Sequence, residues 1–315
     1  MKKETLLIAL GGNALIRKDQ EGTIAEQFEN LKVPMGQIAR LSEKYRIIIT
    51  HGNGPQVGNL LLQQECCDAA PKLPLEILVA QTQGQIGYMI ESTLDSELMA
   101  LGTDTKHHFV TLITYVVVDE NDPAFKNPSK PIGPVYSEEE AKSVPYPTRK
   151  TVKGYRRVVV SPNPLTVVEK NEIRKLIDMD FIVICGGGGG IPVIREERRF
   201  HGVDAVIDKD LVSAELAREV EVDIFIIATD VPGAILNYGK PEEKILRLVA
   251  YNDMGQYLRQ GHFPPGSMAP KVEAAMRFVR NCGKRAVITS VGAIEKAVAG
   301  QAGTEICDEG VIRNS

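Results

Sequence analysis

Three short segments rich in β-branched residues each run directly into glycine, and no other feature of the chain constrains its fold as strongly. Residues 5–10 (TLLIAL) lead into GGNAL, residues 46–50 (RIIIT) into HGNGP, and residues 181–185 (FIVIC) into five consecutive glycines. Such apolar runs are typical of strands in a buried parallel sheet, whose carboxyl ends share the edge where ligands of open α/β folds bind. One glycine after a strand is often only a tight turn, but three such loops on one edge predict a ligand site.

The rest of the chain repeats this alternation of strands and helices. Further strands are predicted at 109–117, 223–229 and 285–290. Helical periodicity occurs in residues 57–67, 84–101, 165–179, 210–220 and 270–282. The pattern predicts an α/β fold with a mainly parallel central sheet covered by helices on both faces. A chain of 315 residues can form one large domain, and we predict a single domain over 1–315.

Charge and composition argue against several classes of protein. The net charge of −4 gives no electrostatic reason to expect nucleic acid or an anionic membrane as a partner, and no apolar run approaches the length of a bilayer span. The five cysteines show no CxxC spacing, which favours reduced thiols over a disulfide framework or a zinc site. We therefore predict a cytoplasmic protein.

One region interrupts the alternation of strands and helices. Residues 119–164 hold eight of the eighteen prolines, and charged and aromatic residues are interleaved there with little periodicity. A segment of this length without clear elements is usually functional or an appended subdomain. We predict that it leaves the sheet as a protruding lid subdomain, although a variable surface loop explains the same composition.

The glycine loops suit an anionic ligand but match none of the common phosphate-binding motifs. Glycine permits close backbone approach and positive φ, so that successive N–H groups can point at an anion, and Asn13 and Asn53 add side-chain donors. GGNAL lacks the G-x-G-x-x-G spacing, and the chain contains no G-x-x-x-x-G-K-[ST], H-R-D or D-F-G sequence. A Rossmann dinucleotide site, a P-loop and a protein-kinase apparatus are therefore excluded.

Positive charge for such a ligand must come from other segments. Lys130 lies in the Pro-rich region, while Lys209 and Lys271 lie beside predicted helix starts, where free N–H groups and the helix dipole attract anions. Taken alone, each lysine is more simply a solvated surface residue, and Asp210 is more simply a helix N-cap. Their joint placement near glycine-rich turns favours an anion site.

Six segments together resemble the carbamate kinases of the amino-acid-kinase superfamily. They are LLIALGGNAL, IITHGNGPQVG, NDPAFKNPSKPIGP, VICGGGGGIPV, AVIDKDLVSAELA and GSMAPKVEAA, and they run in the family's order from about residue 5 to the C-terminus. NPSKPIGP and VIDKD are specific to the carbamate kinases. The resemblance implies an open αβα sandwich that forms a homodimer, with the protruding subdomain made by residues 119–164.

The resemblance also implies an activity. Carbamate kinases transfer a phosphoryl group reversibly between ATP and carbamate, giving ADP and carbamoyl phosphate, and usually run towards ATP in arginine fermentation. For this chain the resemblance implies Mg²⁺ bound with ATP or ADP, held mainly by the phosphates and by no side chain directly. It implies an acceptor half over about 1–200 and a nucleotide-binding half over 201–315. Metabolite levels, not residues, decide the direction of the reaction.

Roles for individual residues follow from the same resemblance. The phosphoryl and acceptor groups would be bound by Gly11, Gly12, Asn13, Gly52, Asn53, Gly187 and Gly188, the first three holding the phosphoryl group and Gly52 and Asn53 facing carbamate. The catalytic residues would be Lys130, Lys209, Asp210 and Lys271. Lys130 would reach in from the subdomain, Lys209 and Lys271 would flank the β- and γ-phosphates, and Asp210 would aim the lysines. The nucleotide would be bound by Lys209, Lys271, Asp230, Tyr238 and Met268.

Two alternatives stay open at the level of the sequence. A related kinase acting on an acylated amino acid or a nucleoside monophosphate would need a larger acceptor pocket, typically with arginines, and no arginine adjoins the glycine loops. A non-catalytic nucleotide or anion binder on the same fold would not need all three lysines and Asp210. Carbamate is already an anion and needs no general base, so His51 is predicted to pack at the strand end or to orient its loop.

Overall fold

The structure is a computed structural model that describes residues 3–66, 69–151 and 154–308. Within these residues the strands are β1 Thr5–Leu10, β2 Arg46–His51, β3 His108–Thr111, β4 Tyr115–Val118, β5 Lys130–Tyr136, β6 Thr148–Thr151, β7 Gly154–Val159, β8 Pro164–Val167, β9 Phe181–Ile184, β10 Ile191–Glu196, β11 Arg199–Gly202, β12 Ile224–Thr229, β13 Ile235–Leu236, β14 Lys244–Ile245, β15 Leu248–Ala250, β16 Arg285–Ser290 and β17 Thr304–Cys307. The helices are α1 Ile24–Ser42, α2 Gly54–Glu65, α3 Leu75–Leu101, α4 Glu138–Ser143, α5 Lys170–Asp178, α6 Lys209–Glu219, α7 Tyr251–Arg259, α8 Met268–Cys282 and α9 Ile294–Val298. Cys67, at the end of a predicted helix, lies outside the described residues.

The centre of the molecule is an eight-stranded sheet in the order β15-β17-β16-β12-β1-β2-β9-β3. The six strands from β16 to β3 pair in parallel, and β17 runs antiparallel to β16. The predicted α/β fold with a mainly parallel sheet is therefore confirmed. Because β1, β2 and β9 are neighbours in this sheet, their glycine loops leave from adjacent positions on one edge.

Apolar side chains on both faces of the sheet are covered by helices. In β1, Leu6, Ile8 and Leu10 pack in a cluster with α1, α3 and α9, whereas Leu7 and Ala9 pack in a second cluster with α5, α6 and α8. Successive side chains of a strand point to opposite faces, so a strand that is apolar throughout requires two covering layers. The three layers form the predicted αβα sandwich.

The helix predicted at 84–101 begins earlier, at Leu75, and two further predicted elements are also wrong in their bounds. The predicted strand 109–117 is two strands, because after β3 the chain leaves the central sheet and β4 pairs with β10 and β8 in a separate four-stranded sheet. The predicted helix 165–179 begins only at Lys170, because its β-branched first residues form β8 and pair with β4. In both cases tertiary pairing overrides the local pattern.

Helix α1 lies in a region for which the apolar periodicity predicts no helix. Pro34 lies inside it and is buried. A capping box at its start, in which Thr23 and Glu26 bond each other's backbone N–H groups, fixes where it begins. The pattern T-x-x-E was the available signal for this helix.

The Pro-rich region contains a small sheet of its own. Strands β5, β7 and β6 pair antiparallel in that order, and α4 lies between β5 and β6. Ile132 and Val159 of this sheet pack with Val57 of α2 and Val79 of α3, which attaches it to the body of the protein. Gly58 and Gly133 approach closely, since a Cβ added to Gly58 would lie 2.8 Å from Gly133 Cα. No helix among the described residues is long and apolar enough to cross a membrane.

Candidate active site

The three glycine loops converge at the carboxyl edge of the central sheet. The N–H of Gly11 donates to Ala228 O at 2.8 Å, and the N–H of Gly52 donates to Leu10 O at 3.1 Å. A Cβ added to Gly52 would lie 3.6 Å from the backbone nitrogen of Gly12, so these two loops are in contact. The convergence expected from the sequence is therefore present.

The polyglycine loop adopts a conformation that only glycine accepts readily. Gly186, Gly188, Gly189 and Gly190 all have φ between 60° and 88°. A Cβ on Gly188 would lie 2.2 Å from Asn53 Nδ2, and one on Gly189 would lie 2.2 Å from Ile207 O. The five glycines therefore let a tight loop fit between Asn53 and the segment before α6.

Two aspartates and three lysines gather at the start of α6. Asp208 is the N-cap, and its Oδ1 accepts from the N–H of Asp210 at 3.0 Å while its Oδ2 accepts from Lys130 Nζ at 2.6 Å. Asp210 lies in the first turn and pairs with Lys209 Nζ and, at 2.9 Å, with Lys271 Nζ. The N-cap interpretation of Asp210 is therefore wrong, because that position belongs to Asp208.

Burial and pairing act in opposite directions on the charges of this cluster. Burial raises the pKa of Asp210, but the charges of Lys209 and Lys271 outweigh it and hold that pKa well below its ordinary value. Burial lowers the pKa of Lys209 more than its pairing with Asp210 raises it. For Lys271, burial lowers the pKa, but the charge of Asp210 and their hydrogen bond outweigh it and leave the pKa raised. Asp210 is thus an ionised group shared by two buried amines.

The first turn of α6 is tied to the central sheet. The hydroxyl of Ser213 donates to Lys209 O at 2.6 Å, and Thr50 Oγ1 of β2 lies 2.7 Å from Ser213 Oγ. Both side chains are fully buried. These contacts fix the position of the Lys209 backbone relative to the sheet. A flexible lysine side chain can place its amine reproducibly only if its backbone is fixed in this way.

Two cavities meet over this cluster. A cavity of ≈ 270 Å³ lies towards the C-terminal half and a second, of ≈ 230 Å³, lies towards the Pro-rich sheet. Gly12, Lys209, Ser267 and Lys271 line both of them. After the roles that the resemblance implies for their lining residues, we call them the nucleotide-side cavity and the acceptor-side cavity. A group passing from one to the other would pass these four residues.

Most residues predicted for the site line one of the cavities. The nucleotide-side cavity is lined by Gly11, Gly12, Asn13, Asp230, Tyr238, Met268, Lys209 and Lys271. The acceptor-side cavity is lined by Gly12, Gly52, Asn53, Gly188, Lys130, Asp210, Lys209 and Lys271. Gly187 lines neither, because it is packed behind the loop, where a Cβ would lie 2.5 Å from His51 Nε2.

Several residues of the site were not predicted from the sequence. Asp208 pairs with Lys130, Ser267 lines both cavities, and Ile235 and Pro264 add apolar wall to the nucleotide-side cavity. Asp208 had a usable signal, since an aspartate directly before a helical run is a preferred N-cap. Ser267 had the same signal, since it directly precedes α8, although in the structure it makes no side-chain cap bond.

No group of three or more His, Cys, Asp or Glu side chains within the described ranges is arranged to hold a metal ion. The carboxylates nearest the junction of the cavities, Asp208 and Asp210, are engaged by lysines.

His51, beside the glycine loops, is neutral at physiological pH. Its ring donates from Nδ1 to Gly52 O at 3.1 Å. Burial, with a smaller contribution from the charge of Lys209, lowers the pKa of His51 from 6.5 to about 4. A protonated imidazole is thus disfavoured in the folded protein, and the contacts agree with a packing and loop-orienting role.

This lowered pKa predicts a loss of stability in acid. The unfolded chain binds a proton at His51 near pH 6.5 and the folded protein only near pH 4, so the contribution is complete above 6.5 and is lost as the pH falls towards 4. Because of this group, we expect the free energy of unfolding to be about 3 kcal/mol lower at pH 4 than at pH 7. Urea denaturation of the wild type and of His51→Asn between pH 7 and 4 measures it. Parallel pH profiles for the two proteins would contradict this assignment.

Comparison with known proteins places the chain in a defined group. The family model described as the amino acid kinase family matches residues 4–290. The carbamate kinase of Thermococcus kodakarensis is 48% identical over 314 residues, covering 96% of this chain and 99% of the relative, and that of Haemophilus influenzae is 44% identical with 96% of each covered. The structure of the Giardia lamblia carbamate kinase bound to AMP-PNP superposes with a TM-score of 0.90 at 40% identity, over 98% of this chain and 99% of that one.

Proposed function

The chain belongs to the carbamate kinases of the amino acid kinase family, and on that premise we propose that its site transfers a phosphoryl group reversibly between ATP and carbamate. The products are ADP and carbamoyl phosphate. The observation that carries the proposal is the pair of cavities that meet at Gly12, Lys209, Ser267 and Lys271. ATP occupies the nucleotide-side cavity, carbamate occupies the acceptor-side cavity, and the phosphoryl group crosses between them.

The chemistry that the site must supply is electrostatic. Carbamate is an anionic oxygen nucleophile, so no base has to remove a proton, but it must approach a highly charged triphosphate. Phosphoryl transfer is catalysed mainly by positioning and by stabilisation of charge. Lys209 and Lys271 lie where both anions meet, and Asp210 holds both amines in place. These three side chains are largely buried, and fixed charges in such surroundings stabilise the transition state more than they would in solvent.

The two cavities bind different substrates. Asp230, Tyr238 and Met268 line the nucleotide-side cavity, where Ile235 and Pro264 supply apolar wall for a base. Gly52, Asn53, Gly188 and Lys130 line the acceptor-side cavity. Mg²⁺ bound with the nucleotide would supply neutralisation of phosphate charge, and it would be held chiefly by the phosphates, because Asp208 and Asp210 are engaged by lysines.

The lining of the acceptor-side cavity suits an acceptor with a single anionic group. No arginine is among its lining residues. A kinase for an acylated amino acid or a nucleoside monophosphate typically binds the second anionic group of its acceptor with arginine. The absence of arginine from the lining therefore favours carbamate over these acceptors.

Several further properties belong to the same proposal. Residues 119–164 act as a lid over the acceptor. Residues up to about 200 serve mainly the acceptor and residues 201–315 mainly the nucleotide, although Gly12, Lys209 and Lys271 line both cavities. The protein works as a homodimer in the cytoplasm. The proposal of a lid is supported by the three-stranded sheet β5-β7-β6, because Lys130 of β5 lines the acceptor-side cavity.

A coupled assay in both directions tests the proposed function. We expect ATP formation from ADP and carbamoyl phosphate, ADP formation from ATP and carbamate, and dependence on Mg²⁺ in each direction. N-acetylglutamate and UMP serve as the alternative acceptors. Turnover with either of these and none with carbamate would assign the chain to another reaction, and tight ATP binding without any turnover would make it a binding protein.

Lys130→Ala tests whether Lys130 serves the acceptor and not the nucleotide. Lys130 lines the acceptor-side cavity and is absent from the lining of the other. We expect the Michaelis constant for carbamoyl phosphate to rise about tenfold or more, because the variant loses one charge-assisted hydrogen bond to this substrate. ADP should bind normally in calorimetry. Lys150→Ala, an exposed lysine of the same small sheet, is the matched control. Loss of ADP binding with intact acceptor kinetics would reverse the assignment of Lys130.

A further inference from the structure

A buried glutamine joins the polyglycine loop to the break between β3 and β4. Gln83 of α3 is 1% exposed. Its Nε2 donates to Thr114 O at 3.2 Å and to Gly187 O at 3.1 Å, and its Oε1 accepts from the N–H of Thr114 at 2.8 Å. Both ends of the side-chain amide are used, and both partners are backbone groups of loops at the carboxyl edge of the sheet.

Thr114 extends this connection to both ends of the polyglycine loop. Its Oγ1 accepts from the N–H of Gly186 at 3.0 Å, and its carbonyl oxygen accepts from the N–H of Ile191 at 2.8 Å. Glycine has little conformational preference of its own, so a loop of five glycines takes its shape from such external bonds. Gln83 holds the middle of the loop, and Thr114 holds its two ends.

The bond from Gln83 orients one peptide group of the loop. The carbonyl oxygen of Gly187 accepts from Gln83 Nε2 and, at 3.0 Å, from the N–H of Gly190. In a trans peptide the N–H points opposite to the C=O, so the N–H of Gly188 is turned away from Gln83. Gly188 lines the acceptor-side cavity, and within the described part of the chain its N–H donates to no other group.

We propose that Gln83 is a positioning residue that presents the N–H of Gly188 to an oxygen of the acceptor. The identity of the acceptor rests on the function proposed above. Gln83 itself lines neither cavity, so it acts on the reaction only through the loop. A free backbone N–H held in a fixed direction is the kind of donor that a small anion with few groups to recognise requires.

Gln83→Met removes these hydrogen bonds at nearly constant volume. We expect the Michaelis constant for carbamate to rise about tenfold, the equivalent of about 1.4 kcal/mol, while the dissociation constant for ADP stays within about twofold of the wild type. Amide hydrogen exchange at Gly186, Gly189 and Gly190 should accelerate, because the bonds that shape the loop are weakened.

Gln37→Met is the matched control. Gln37 is also a buried helical glutamine that bridges backbone groups, donating to Val291 O at 2.9 Å and accepting from the N–H of Glu295 at 3.2 Å, but it lines neither cavity. It should lose comparable stability without a change in the Michaelis constant for carbamate or in exchange at the glycine loop.

Gln83→Glu provides a second variant that keeps the shape of the side chain. Its carboxylate still accepts from Thr114 but cannot donate to Gly187 O, so we expect at least the effect of the methionine variant. The proposal is overturned if both Gln83 variants keep the wild-type Michaelis constant for carbamate, or if they weaken ADP binding as much as carbamate use. A wild type without carbamate turnover would reject the proposed function, and loop exchange would then still test the positioning role, which unchanged exchange in Gln83→Met would overturn.

Discussion

Lys209→Ala should lower kcat by about 10²- to 10³-fold, the usual result of removing one fixed donor at a site of developing charge. Lys209 lines both cavities, so its amine is placed to interact with the phosphoryl group throughout the transfer. Burial lowers the pKa of this amine, so keeping it charged in the folded protein reduces the free energy of unfolding. Its loss should therefore reduce catalysis far more than stability.

The design of this experiment depends on a matched lysine. Lys284 pairs with Asp223 at 2.7 Å at the opposite, amino-terminal edge of the sheet. Lys284→Ala should leave kcat near the wild-type value and the melting temperature within a few degrees of it. Lys209→Ala should also stay folded, because Lys271 still compensates the charge of Asp210. Near-normal turnover in Lys209→Ala would show that charge at this residue is not needed for the reaction.

Asp210→Asn should cause the largest loss of stability among the site variants. The side chain of Asp210 is 3% exposed and binds the amines of Lys209 and Lys271. Removing one partner from a buried ion pair leaves the other charge uncompensated, which typically costs about 3–5 kcal/mol. Urea denaturation without ligand should show a loss of this size, and kcat should fall because the two lysines are no longer held.

Nucleotide should recover part of this stability. In the proposed function the phosphates of ADP supply negative charge to the same two lysines, so we expect ADP to raise the melting temperature of Asp210→Asn by more than it raises that of the wild type. Asp180→Asn is the control, because Asp180 pairs with Lys3 on the surface at 3.0 Å and is 52% exposed. A surface pair contributes about 0–1 kcal/mol. If Asp210→Asn loses no more stability than this control, the shared-carboxylate arrangement is not a structural requirement.

Most of the central sheet could be predicted because six of its eight strands have a clear local pattern, whereas β15 and β17 were not predicted. The segments at 5–10, 46–50 and 181–185 are apolar throughout, and a strand buried on both faces needs no partner to be recognised. The prediction was wrong at 109–117 because a strand that changes sheets in the middle has the same composition as one that does not. The fully buried Thr114 marks the change, but its role depends on Gln83, which lies 31 positions earlier in the chain.

The sequence by itself determined the class of fold and the segments that meet at the site, because β-branched runs, glycine turns and helix starts are local properties of the chain. Only the tertiary structure decided which groups act together there. Lys130 meets Asp208 across 78 positions, and Lys271 meets Asp210 across 61, and no local pattern carries such pairings. The same is true of the polyglycine run. Five identical residues cannot be told apart in sequence, but packing against His51 and Gln83 buries Gly187 and leaves Gly188 as the one of the five that lines the acceptor-side cavity.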